Sequence, residues 1–204
     1  MSNSQIKELV TKRTIMTNLC IFVSGNGTNC ENLIRHFAES EEARVRLVVS
    51  NKPDAFALER ARRLNVPTAV VSRTELNDSA KTLAMLRKYD IDLIVLAGFL
   101  LLVPEYLVEA FPRRIVNLHP ALLPAYGGKG MYGHHVHEAV KAAGERETGI
   151  TVHYVDEHFD HGEIIAQHRV TLTPQDSVED IEEKIHHLEQ TYLPSAVERA
   201  IRSL

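Results

Sequence analysis

Short, continuous apolar runs alternating with segments of helical period dictate what the first half of this chain can fold into. The run at residues 19–23 leads through the turn Ser24-Gly25-Asn26-Gly27 to Leu33, Ile34 and Phe37 at helical spacing. Residues 45–49 form a second run and precede a helix expected over 55–64. Residues 68–71 precede another over 77–89, and 93–97 read as a further buried strand. Strands that are apolar throughout and separated by helices imply a parallel sheet covered on both faces, wound by right-handed crossovers. The expected fold class is therefore α/β, a Rossmann-like, mostly parallel sheet.

The second half changes character. A short helix over 104–110 and a strand over 115–118 lead into a loop holding Pro120, Pro124, Gly127, Gly128, Gly130 and Gly133. A helix is expected over 134–143. Residues 149–155 and 163–170 alternate like strands and should pair antiparallel in the C-terminal part. Ser177 opens the last helix with capping-box chemistry, its buried face marked by Val178, Ile181, Ile185, Leu188, Tyr192 and Val197. Residues 1–17 lack a clear period and read as an arm outside a single domain over 18–204.

Composition removes whole classes. With 44% hydrophobic and 25% charged residues, the chain has the balance of a globular protein. The longest apolar run, residues 93–103, is short of the roughly 18 residues needed to cross a bilayer, and the N-terminus has no apolar signal core. A cytoplasmic location is expected. A formal charge of −4 has the wrong sign for gripping nucleic acid. The expected partners are small-molecule substrates, with no nucleic acid, no membrane, and a monomer or homodimer. Cys20 and Cys30 are too few for a disulfide framework and read as reduced.

The turn at Gly25-Asn26-Gly27-Thr28-Asn29-Cys30 lacks the third glycine of a dinucleotide fingerprint, and the second strand ends in Ser50-Asn51 instead of an acid. What remains is a turn whose backbone N–H groups, Thr28 hydroxyl and Asn29 amide stand at a helix N-terminus, suited to one phosphate. The bland alternative is a tight turn entering a helix. Asn117-Leu118-His119-Pro120 follows a buried strand, and period two sends the Asn117 and His119 side chains to one side. An amide donor beside an imidazole suits acyl transfer: the amide meets a developing oxyanion and the imidazole moves a proton near neutral pH. A structural asparagine and histidine are the alternative.

The stretch from Asn117 to Pro124, Asn-Leu-His-Pro-Ala-Leu-Leu-Pro, together with Asp160-His161-Gly162, resembles the folate-dependent formyltransferases. From Asn18 to about Ile201 the order of motifs is similar to the branch that formylates glycinamide ribonucleotide. This resemblance implies transfer of a formyl group from 10-formyltetrahydrofolate, a co-substrate, with no metal. It implies a catalytic trio of Asn117, His119 and Asp160, with Asp160 raising the His119 pKa. Gly27, Thr28 and Asn29, with His186 and Glu189, would bind the ribonucleotide. Leu100, Leu101, Leu102 and Val103, the loop Asp156, Glu157, His158, Phe159 and Asp160, and by position Arg73, would meet the folate. Two departures stand out: Leu101 where enterobacterial relatives carry an arginine, and a longer loop over 126–133 that includes Lys129.

The rivals are a formyltetrahydrofolate hydrolase, whose known form has an N-terminal domain that 17 residues are too few to supply, and a histidine-rich metal module. Ten of the 11 histidines follow residue 118. On a helix, however, His134 and His137 share a face that His135 does not, and no cysteine lies nearby.

Overall fold

The computed structural model describes residues 16–204; most of the expected arm, residues 1–15, lies outside the described residues. The strands are β1 Thr17–Val23, β2 Ala43–Ser50, β3 Thr68–Val70, β4 Leu93–Leu96, β5 Ile115–His119, β6 Glu147–Tyr154 and β7 Ile164–Thr171. The helices are α1 Thr28–His36, α2 Phe56–Arg63, α3 Arg73–Leu76, α4 Ser79–Lys88, α5 Glu105–Ala110, α6 His134–Ala142 and α7 Val178–Arg202. One sheet runs in the order β3-β2-β1-β4-β5-β6-β7. The first five strands are parallel, and β6 and β7 are antiparallel additions at the β5 edge. This is the expected mixed α/β sheet.

Strand β1 shows why apolar runs mark the sheet's centre. Leu19, Ile21 and Val23 face one apolar cluster, under α1, α2 and α7, while Cys20 and Phe22 face the other, under α4 and α5. All five are fully buried, as a strand covered on both faces must be.

The helix expected over 77–89 is α4, and a separate short helix that the sequence pattern did not suggest, α3, precedes it. Ser72 and Glu75 form a capping box that starts α3, and the Asp78 carboxylate accepts from Lys81 N–H at 3.1 Å to start α4. Two side chains that each satisfy an N-terminal N–H make two helix starts cheaper than one continuous helix. In α7, Ser177 and Asp180 form the expected capping box. Pro194 sits inside that helix, and it cannot donate to the carbonyl of Gln190 four residues back. The Asn32 side chain from α1 donates to that carbonyl instead, at 2.8 Å, so the helix continues and is tied to α1.

Candidate active site

A cleft of about 820 Å³ opens at the carboxyl edge of the sheet, where β1 and β4 lie side by side and the strand order reverses. Loops diverge at such a point and leave room for a ligand. Ser24 knits the rim together. Its N–H donates to the Gly98 carbonyl at 3.0 Å, its hydroxyl donates to Asn51 Oδ1 at 2.6 Å, and the same hydroxyl accepts from Leu100 N–H at 2.9 Å. Ser24 and Lys52 line the cleft without having been singled out in the sequence. Ser24 follows β1 directly and Lys52 stands two residues past the end of β2, and a place just beyond a strand's carboxyl end is the signal that could have found them.

One end of the cleft is the first glycine turn. Gly27 occupies the N-cap of α1 with φ +78°, and no side chain caps the helix. A Cβ there would stand 2.3 Å from the Ala57 Cβ, so the turn admits only glycine. The free N–H groups of the first turn are left for an anion. The Asn29 side chain is otherwise engaged: its Nδ2 donates to Glu189 Oε2 at 2.8 Å, and its Oδ1 accepts from Gln190 at 2.6 Å. It thereby fixes Glu189 at the cleft wall. His186 Nδ1 lies 3.5 Å from the same carboxylate, whose hydrogen bonding and charge raise the His186 pKa against the effect of burial.

The floor is built by β5 and β6. Asn117 is register partner of His153, and His119 of Thr151. His153 Nδ1–H donates to the Tyr154 carbonyl at 2.8 Å, which leaves Nε2 to accept from Asn117 Nδ2 at 3.1 Å. Asp160 is the hub of this floor. Its Oδ1 accepts from Asn117 Nδ2 at 3.3 Å and its Oδ2 from Gly128 N–H at 2.9 Å, while Oδ2 stands 3.5 Å from His119 Nδ1. His119 Nε2–H donates to the Tyr126 carbonyl at 2.8 Å, so only Nδ1 is placed to gain or lose a proton.

Burial pushes the Asp160 pKa up, but His153, His119 and the Gly128 N–H outweigh it and hold the carboxyl below its ordinary range. For His119 the balance reverses the expectation. Asp160 and the Tyr126 carbonyl do favour the imidazolium, yet burial of a ring only 3% exposed lowers the pKa by more, with His153 adding to the fall.

Leu100, Leu101, Leu102 and Val103 form an apolar wall, with Leu100 and Leu102 about half exposed. Across the cleft, Asp156, His158, Phe159 and Asp160 line the other side. Glu157 instead lines a separate hollow of about 380 Å³, and Arg73 opens α3 on the exposed surface, outside the residues that line the cleft. Asp156, His158 and His161 bring donor atoms within 4.8 Å of one another, a grouping that could hold a cation. Both Asp156 oxygens already accept hydrogen bonds, from His158 N–H at 2.8 Å and His161 Nδ1–H at 3.1 Å.

The formyl transferase family model matches residues 17–197. Phosphoribosylglycinamide formyltransferase of Bacillus subtilis is 36% identical over 191 residues, covering 91% of this chain and 95% of that protein. The chain belongs to the formyl transferase family, in its phosphoribosylglycinamide formyltransferase branch. A chloroplastic member from Arabidopsis thaliana is 41% identical over 84% of this chain, which spans only 61% of the plant protein. The crystal structure of the Anaplasma phagocytophilum member superposes with a TM-score of 0.84 at 32% identity, covering 92% of this chain and 88% of that one. In this formyl transferase the cleft rests on a mostly parallel sheet. No helix among the described residues of this member is long and apolar enough to cross a membrane.

Proposed function

We propose that this formyl transferase moves the formyl group of 10-formyltetrahydrofolate to the amine of N1-(5-phosphoribosyl)glycinamide, giving the formylglycinamide ribonucleotide and tetrahydrofolate for purine synthesis. The observation that carries this reading is the convergence of Asn117, His119 and Asp160 on one cleft floor, between an anion-binding turn at Gly27 and the apolar wall at Leu100 and Leu102. The cleft suits both substrates: a phosphate end with free N–H groups and an apolar end for a flat ring system. A cytoplasmic location and a monomer or homodimer go with the reading.

In this mechanism the Asn117 amide donates to the formyl oxygen as the amine adds to the formyl carbon. Both of its N–H groups are engaged beforehand, with His153 Nε2 at 3.1 Å and Asp160 Oδ1 at 3.3 Å; the longer bond, to Asp160, is exchanged for the formyl oxygen while His153 keeps the amide aimed as charge develops. One proton must leave the amine and one must reach N10 of the folate. His119 Nδ1 accepts and returns it, with the adjacent Asp160 charge offsetting the cost of a buried imidazolium. Each proton taken is given back, and the enzyme ends as it began. Gly27 and Thr28 hold the phosphate through backbone N–H groups, Glu189 and His186 the ribonucleotide, and Leu100 to Val103 with Asp156, His158 and Phe159 the folate.

Incubation with 10-formyltetrahydrofolate, with and without the ribonucleotide, tests the assignment. Tetrahydrofolate release should depend on the amine and match the formylated product one to one. Release at the same rate without the amine would replace transfer by hydrolysis.

A further inference from the structure

His137 is a cleft-lining side chain that the mechanism leaves unused, and one of its ring nitrogens is buried without a partner among the described residues. It lies on α6 and is only 4% exposed. Its Nδ1 is fully buried with no partner among the described residues, and the ring nonetheless lines the cleft. Histidines kept for packing alone pair their buried nitrogens, because an unpaired one forfeits its hydration for nothing. Nε2 has no partner among the described residues and, unlike Nδ1, is not sealed from solvent, so it is the nitrogen at the cleft surface.

The tautomer follows from these facts. A buried N–H without an acceptor is worse than a buried lone pair, since backbone carbonyls tolerate a missing partner better than N–H groups do and the same asymmetry holds for a ring. The proton therefore sits on Nε2, which presents a donor to the cleft. Burial also lowers the His137 pKa, against the charges of Glu182 and Glu189, with His134 adding to the fall.

The surroundings identify what the donor meets. Glu182, His186 and Glu189 recur at helical spacing on the cleft-facing side of α7, and all three line the cleft. His134, one turn before His137, pairs with Glu182 at 3.2 Å and bridges α6 to α7 at the rim. The corner thus offers a carboxylate acceptor at Glu189, held by Asn29, a ring donor at His137, and the anion turn at Gly27 next to Asn29. We propose that His137 is a further substrate-binding residue, its Nε2–H donating to a ribose or phosphate oxygen of the phosphoribosyl group in the corner shared with Glu189 and His186. This rests on the function proposed above and extends it to the side of the cleft formed by α6.

Three variants test it, each checked for wild-type thermal unfolding and compared in steady-state kinetics with both substrates. His137→Leu fills the space without a donor and should raise KM for the ribonucleotide roughly tenfold or more, the range for losing one hydrogen bond to a charged or hydroxyl oxygen. The KM for 10-formyltetrahydrofolate should stay within about twofold. His137→Gln places an amide N–H near the Nε2 position and should recover most of the loss, whereas His137→Asn places it near Nδ1 and should not. An unchanged ribonucleotide KM in the leucine variant, equal weakening of both substrates, or glutamine no better than asparagine would overturn the assignment of His137 alone. Absence of amine-dependent transfer in the wild-type enzyme would overturn the functional reading with it.

Discussion

Asp160 Oδ2 stands 3.5 Å from His119 Nδ1, and the same carboxylate accepts from Asn117 and from Gly128 N–H. One side chain therefore aims an amide, opposes an imidazole and anchors the glycine-rich loop. Removing a preorganised donor of this kind typically costs about 100- to 1,000-fold in turnover. Asn117→Ala should lose that much kcat with wild-type unfolding behaviour. Asp160→Asn should lose at least as much, because it removes the charge that compensates a buried imidazolium. Near wild-type turnover in either variant would remove that residue from the mechanism.

The Gly27 turn admits a sharp comparison. Gly27→Ala must place a Cβ 2.3 Å from Ala57 Cβ at φ +78°, whereas a Cβ at Gly25 meets nothing within 4 Å. The first variant should unfold at lower temperature and bind the ribonucleotide more weakly; the second should unfold like the wild type. Equal melting temperatures for the pair would contradict the close approach of α2 to the turn.

Thr151 carries stability out of proportion to its size. It is fully buried, its hydroxyl donates to the Ala121 carbonyl at 2.7 Å, and it accepts from Leu123 N–H and from Gln167 Nε2, both at 3.0 Å. Thr151→Val leaves these groups unpaired and should cost about 1–3 kcal/mol, or roughly 2–4 °C in Tm per kcal/mol for a chain of this size. Calorimetry at pH 7.5 measures it.

Stability should fall on the acid side of neutrality. Burial holds the pKa values of His119 and His137 below their ordinary value, so below about pH 6.5 the unfolded chain binds protons that the folded one refuses. Their contribution is complete above that pH and declines as pH falls. His186, whose pKa Glu189 raises, acts in the opposite sense. Tm should drop between pH 7.5 and 5.5, and less steeply in His137→Gln; parallel curves for the two proteins would show that His137 is not a source.

Chelator treatment should leave turnover intact. No step of the proposed mechanism requires a cation, and Asp156 in the one three-donor grouping among the described residues already has both oxygens engaged. Loss of activity on dialysis against a chelator, restored by a divalent metal, would contradict this.

Local features could be read from the order of residues alone. Apolar runs separated by helical periods specify a parallel sheet because a strand buried on both faces has no polar side to show. Ser177 with Asp180 announces a helix start through contacts three residues apart, and Asn117 with His119 shares a face because strands have period two. The features that pattern could not give are contacts that span the chain. Asn29 holds Glu189 across 160 positions, Asn32 supplies the bond that Pro194 cannot make, and Arg73 stays outside the cleft that its place along the chain suggested. The protonation of His119 belongs to the same class: the sequence names its carboxylate neighbour, but only the packing around the ring sets a desolvation cost large enough to overrule that neighbour's charge.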